Sequence, residues 1–370
     1  MIIKFGVKNF FCFREWMEID FSTQTKGIYA NSLCLKGANS SGKTNAIKSL
    51  AFLFQFCTSS FNRQPDDEVM FETFFNNRNP SEYFIDFKVN SIEYSYEVVL
   101  TKEKVIKEDI YRKDKRKTLV FSRVENNIEK NNLYSISQQF PLRSNASIIS
   151  MAKQYELKEM SDIYHFFENI IYNVNYFGFV QRNISSSKLA SMYQDNIKML
   201  DFVKKQLEKF DTGIVGIRID SYVNDKNETV YYPMFKQKTN LVDDSELRFE
   251  FQSSGTKSLY RDLYYYFITL NNGGILCLDE FDINLHPDIL PPLIQLFDEN
   301  TNNKNAQLIF STHNTDIIDM MGKYRTYLFN KENGESYCYR LDELSENIIR
   351  NDRSIIPLYK AGKLGGVPKI

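Results

Sequence analysis

Lys43, Thr44, an adjacent pair of acids at Asp279 and Glu280, and His313 could together move a phosphoryl group. The first two close the stretch Gly37-Ala-Asn-Ser-Ser-Gly-Lys-Thr44, which fits G-x-x-x-x-G-K-[ST]. In that pattern the glycines let the backbone curl, so that successive N–H groups point at phosphate oxygens. Gly37, Asn39, Ser40, Ser41, Gly42, Lys43, Thr44 and Asn45 are therefore the expected nucleotide contacts. Lys43 is expected to reach the β- and γ-phosphates and the Thr44 hydroxyl to sit on Mg²⁺.

The acids follow an apolar run in GGILCLDEFDINLHP. A strand that runs into Asp279-Glu280 puts two carboxylates at its carboxyl end, where α/β sheets bind ligands. Asp279 suits coordination of Mg²⁺ and Glu280 suits polarising an attacking water. The plain alternative is that both acids solvate the end of a strand. A second apolar run, QLIFS, ends in Thr312-His313-Asn314. An imidazole there could hydrogen-bond a γ-phosphate and register its loss. His286 could equally be a turn residue, and His165 falls on a helical stretch where core packing is the default. Between the two catalytic halves, FQSSGTKSLY places Ser253, Ser254 and Gly255 just before a helix. Hydroxyls, free N–H groups and a positive helix end again suit an anion.

These residues need elements to carry them. NSLCLK reads as a strand entering the phosphate loop, and Ile47, Leu50, Ala51 and Phe54 mark the following helix. YFIDFKV and EYSYEVVL alternate with period two about Asn90-Ser91, as an antiparallel hairpin does. From about residue 145 the period becomes helical, with Ile163, Phe166, Phe167 and Ile170, then Leu200, Val203, Leu207 and Phe210. A polar hairpin follows near 221–240, and an α/β pattern returns near 250. The expected division is a first nucleotide lobe with an antiparallel sheet at 1–120, a mainly helical inserted arm at 121–250, a second lobe at 251–345, and a tail at 346–370.

With 370 residues, 42% hydrophobic and 25% charged, the chain is long and apolar enough for two or three cores. No apolar run approaches a membrane span and the start lacks the features of a signal peptide, so a cytoplasmic protein is expected. Five scattered cysteines without a C-x-x-C pair read as reduced core thiols. A net charge of −1 offers nucleic acid no global attraction. The basic stretch Lys102–Lys117 is diluted by Glu103, Glu108, Asp109 and Asp114, and reads first as a solvated strand edge and turn.

The ordered set GANSSGKT, QSSGTKS, ILCLDE, LHP and FSTHN resembles the ATP-binding-cassette type of ATPase, in the soluble branch with the SMC, RecF and overcoming-lysogenization-defect proteins. The resemblance implies an α/β P-loop NTPase fold of that type, with an antiparallel β subdomain and an inserted helical arm. It implies ATP and Mg²⁺ as ligands, and a homodimer in which Ser253 and Gly255 contact ATP held by the partner. Ser254 stands where the common pattern has its first glycine, as is typical of the soluble branch. The ending IIRNDRSIIPLYKAGKLGGVPKI resembles the stand-alone AAA-family ATPases of bacterial abortive-infection and anti-phage systems (RloA-like, AbiL-like and the AriA ATPase of PARIS). That implies an ATP-dependent switch over an effector, often a nuclease; the short stretch after His313 makes a separately encoded effector the expectation. The alternative is a RecF-like or SMC-like ATPase acting on DNA.

Overall fold

The computed structural model describes residues 1–114, 116–132, 141–180, 184–210, 213–239, 245–298, 302–345, 349 and 353–367. In chain order the first part carries β1 (Ile2–Lys8), β2 (Met17–Asp20), β3 (Ser32–Gly37), α1 (Lys43–Ser59), β4 (Ser81–Val89), β5 (Ile92–Leu100), β6 (Val105–Lys113), β7 (Lys117–Val124) and β8 (Asn127–Asn131). The middle carries α2 (Ile148–Gln154), α3 (Ser161–Glu168), β9 (Ile170–Tyr172), β10 (Val174–Asn175), β11 (Gly178–Phe179), α4 (Ser186–Asp195), α5 (Ile197–Lys209), β12 (Ile214–Val223), β13 (Thr229–Gln237) and β14 (Ser245–Arg248). The last part carries α6 (Ser254–Asn272), β15 (Ile275–Leu278), α7 (Leu290–Asp298), β16 (Gln307–Ser311), α8 (Ile317–Met321), β17 (Thr326–Glu332), β18 (Glu335–Arg340) and α9 (Ile356–Lys360).

Two sheets dominate. Six strands lie in the order β18-β17-β3-β16-β15-β9, parallel except for β18. All six residues of β3 are buried, as a central parallel strand covered on both faces requires. Leu33 and Leu35 face one core and Cys34 the other. The second sheet is antiparallel, in the order β2-β1-β4-β5-β6-β7-β8. In β4 the buried residues are Ser81, Tyr83, Ile85 and Phe87, the period-two face expected from the sequence. Asn90 and Ser91 both take positive φ (47° and 68°), the geometry of the tight hairpin turn that matches strand twist. The basic stretch forms β6 and its turn, where Lys113 pairs with Asp86, Arg112 with Asp114 and Lys117 with Glu97.

The first core lies between the antiparallel sheet, α1, α2 and α3. Its polar centre is an ion pair between Arg123 Nε and Glu108 Oε2 at 2.7 Å, both side chains fully buried. Tyr96 donates to Glu108 at 2.7 Å, and so does the Ile148 N–H at the start of α2, which fixes that helix on the sheet. The second core joins α5, α6 and α7 to the other face of the parallel sheet.

Among the described residues the inserted segment supplies α2, α3, α4 and α5, but it is not one separate arm. Residues 145–175 pack into the first core through Ile148, Met151, Ile163 and Phe167, and β9 becomes the edge of the parallel sheet beside β15. Helical period shows which face is apolar and leaves the covering partner open, and a three-residue strand carries almost no pattern. The later part, α4, α5 and the sheet β12-β13-β14, packs instead into the second core, through Leu189, Tyr193, Val203, Leu207 and Phe235 against α6. His165 corrects the expectation of core packing: it is exposed, its Nδ1 lies 2.8 Å from Glu168, and Ile163, Phe166 and Phe167 form the buried face instead. Among the described residues, no helix is long and apolar enough to cross a membrane.

Candidate nucleotide site

The phosphate loop leaves the parallel sheet at β3, whose neighbours β16 and β17 lie on opposite sides. This is the kind of crevice where open α/β sheets hold ligands. Gly37 has no room for a side chain: a Cβ would fall 2.5 Å from Ser41 Oγ and 2.6 Å from the Phe329 carbonyl. Gly42 turns the chain into α1 with φ of 111°, a conformation only glycine enters freely. The first turn of α1 then presents N–H groups without intrahelical acceptors, at the positive end of a helix of 17 residues.

Lys43 is 6% exposed, and its ammonium donates to the Gly37 and Ala38 carbonyls at 2.8 and 2.9 Å. Burial pushes its pKa below the ordinary lysine value, partly offset by Asp279. The Ser41 hydroxyl is buried and finds no hydrogen-bond partner among the described residues. A donor left unmade in the wall of a phosphate-binding loop fits an anionic ligand. Asn39 and Ser40 are exposed at the loop's tip, Ser40 with φ of 62°. The Asn45 amide is committed elsewhere, to Cys12 Sγ at 3.0 Å.

Tertiary structure brings Asp279 directly onto this loop. Its Oδ2 accepts from Thr44 Oγ1 at 2.6 Å and its Oδ1 from Ser311 Oγ at 2.5 Å. Asn173 grips the same residue by its backbone, accepting from Asp279 N–H at 2.7 Å and donating to its carbonyl at 2.8 Å. Glu280 is exposed and takes φ of 50°, which costs a non-glycine residue about 1–2 kcal/mol. Its N–H is fixed to Ser311 Oγ at 2.8 Å, which holds the strained turn, and Glu280 lines a cavity of about 260 Å³ with Asn173, Ser258 and Asn284 rather than the one over the phosphate loop. His313 is exposed on the loop after β16, its N–H donating to the Asp282 carboxylate at 3.1 and 3.3 Å. With Asn39 it lines a cavity of about 1050 Å³ over the phosphate loop.

Ser253, Ser254 and Gly255 are not part of that assembly. Ser253 is the N-cap of α6, its hydroxyl accepting from the Thr256 N–H at 3.1 Å. Ser253 and Gly255 line a different cavity of about 680 Å³, with Lys209, Asn284 and His286. His286 is a turn residue, accepting from the Asp288 N–H at 3.3 Å. Sequence reasoning missed Asn173, Ser311 and Asp282. Ser311 lies in FSTHN, where it is legible as a polar residue at a strand end, and Asp282 lies in GGILCLDEFDINLHP just past the acid pair. Asn173 follows a strand too short to announce itself.

A family profile described as "AAA domain, putative AbiEii toxin, Type IV TA system" matches residues 32–319. The chain belongs to this family. As a member it is an AAA-type P-loop ATPase, with phosphate loop, acid pair and histidine all inside the matched span. No protein of curated function matches the sequence. Among solved structures, the SMC head domain from Thermotoga maritima is similar at 15% identity, over 92% of this chain and 98% of that one, with a TM-score of 0.47. The Smc head domain bound to the C-terminal domain of ScpA, from Pyrococcus furiosus, is similar at 13% identity, over 92% and 97% of the two chains, also with a TM-score of 0.47.

Proposed function

We propose that this AAA-type chain hydrolyses ATP with Mg²⁺ in a site that two copies complete, and that the ATP cycle controls a separately encoded effector, a nuclease by class, in cytoplasmic anti-phage defence. The observation that carries the chemistry is the Asp279 carboxylate held against the Thr44 hydroxyl at 2.6 Å, beside the phosphate loop. A carboxylate and a hydroxyl are the hard oxygen donors that Mg²⁺ takes. When bound, the ion would neutralise charge on the β- and γ-phosphate oxygens.

The chain's own residues do the rest. The loop N–H groups and the Ser41 hydroxyl bind phosphate oxygens, and Lys43 exchanges its two loop carbonyls for them. Glu280 accepts a proton from the attacking water, and His313 contacts the γ-phosphate. Ser253, Ser254 and Gly255 are exposed or half-buried, away from their own phosphate loop, which suits contact with nucleotide on a second copy. The defence reading is supported by the family description, which speaks of an AbiEii toxin and a type IV toxin–antitoxin system.

The test is mass by light scattering with and without ATP and Mg²⁺. Glu280→Gln should trap an ATP-bound dimer, Ser253→Arg should undo it, and a mass that ignores ATP refutes the shared site. In cells, Lys43→Ala should abolish protection against phage. Tight, steeply salt-dependent binding of duplex DNA by the lone chain at about 150 mM salt would replace the defence switch with the RecF-like reading.

A further inference from the structure

Lys36, the residue just before the phosphate loop, is only 2% exposed. Its ammonium donates to the Thr312 carbonyl at 2.9 Å and the Asn314 carbonyl at 3.1 Å, the groups on either side of His313. The N–H of His313 itself is held by Asp282. The backbone around His313 is thus gripped from two directions, by a residue next to the phosphate loop and by one next to the acid pair. Burial pushes the Lys36 pKa below the ordinary lysine value. An apolar side chain at this position would avoid that desolvation, but it could not hold two carbonyls.

A third contact comes from the C-terminal segment. The Tyr359 ring lies 5.6 Å from Lys36 Nζ, within cation–π range. Tyr359 OH donates to the Gly366 carbonyl at 2.9 Å, and the Gly366 N–H donates to Asn330 Oδ1 at 2.7 Å. Gly366 takes φ of 70°, and a Cβ there would lie 3.3 Å from both Leu328 and Tyr359 and 3.7 Å from the Cα of Gly37. The segment therefore rests on the first glycine of the loop and covers Lys36 at the same time. Lys360, Gly362 and Val367 form the wall of the large cavity alongside Asn39 and His313.

We propose that Lys36 is a positioning residue for His313, and that residues 353–367 keep it in that role, so that the C-terminal segment is part of the hydrolytic unit. The inference rests on the reading of His313 as the γ-phosphate contact given above. Held this way, His313 meets the phosphate in one place; released, its loop samples others and turnover falls while nucleotide binding does not.

The experiment measures steady-state ATP hydrolysis and the binding of a fluorescent ATP analogue by the purified full chain with Mg²⁺. Lys36→Met should lower kcat at least ~10-fold with the analogue's Kd changed less than ~2-fold, because the lost group acts on the transition state. Lys36→Arg, which can still donate to two carbonyls, should recover part of the rate, and Tyr359→Leu should lower kcat by about 3-fold. The double variant Lys36→Met with His313→Ala should be no slower than His313→Ala alone, since both act through one group. Normal kcat in Lys36→Met, weakened binding with normal kcat, or multiplying losses in the double variant would each overturn the inference. If His313→Ala turns over normally, the role of His313 falls and this inference with it; if His313→Ala is slow and Lys36→Met is not, only the inference falls. Should circular dichroism show Lys36→Met unfolded, Tyr359→Leu decides, and an unchanged kcat there counts against the proposal.

Discussion

The phosphate loop and the Ser253–Gly255 segment are built from the same materials, a hydroxyl-bearing turn leading into a helix, and they differ in what surrounds them. At the loop, Ser41, Gly42 and Lys43 are buried, Thr44 is bound to Asp279, and Gly37 is closed in by Phe329. At the other segment Ser253 and Ser254 are exposed, and the Ser253 hydroxyl caps its own helix. The first is a loop that the chain encloses by itself. The second is a finished helix start turned outward.

The largest expected effect falls on the enclosed half. Lys43→Ala removes the charge beside the loop, and binding of a fluorescent ATP analogue should drop below detection while the circular dichroism spectrum is kept. Normal binding would mean that the enclosed half is not what holds the nucleotide. Next comes Glu280→Gln, where binding should be unchanged and steady-state turnover should fall by about 10²-fold, the scale of a lost general base. Undiminished turnover would remove Glu280 from the chemistry and leave its positive φ unexplained. The smallest effect belongs to the outward half: Ser253→Ala should cost only about 1 kcal/mol in urea unfolding, the worth of one N-cap. A loss several times larger would show that Ser253 is bound into its own chain after all, and the contrast between the halves would disappear.

Legibility followed the range of the interactions. The loop, its helix and the β4–β5 hairpin were readable because each depends on neighbours within a few residues. The face that His165 takes is not legible because a helical stretch has two faces, and only the packed structure shows His165 beside Glu168 on the outer one. The packing of residues 145–175 is not legible because its partners, α1 and the antiparallel sheet, lie elsewhere in the sequence.

By itself the sequence determined the phosphate loop, since Gly37 and Gly42 permit a backbone path that other residues obstruct, and it determined that acids and a histidine would stand at the ends of two apolar strands. It also determined the helix start at Ser253, because an N-cap needs only a hydroxyl and the next turn. Tertiary structure alone decided that Asp279 meets Thr44, 235 residues away, and that Asn173, just past an edge strand of three residues, grips Asp279. It alone set Lys36 between the carbonyls around His313 and laid Tyr359 over it. The reason is physical: these contacts depend on which strands become neighbours, and strand order comes from burying both faces of one sheet at once, which no local pattern encodes.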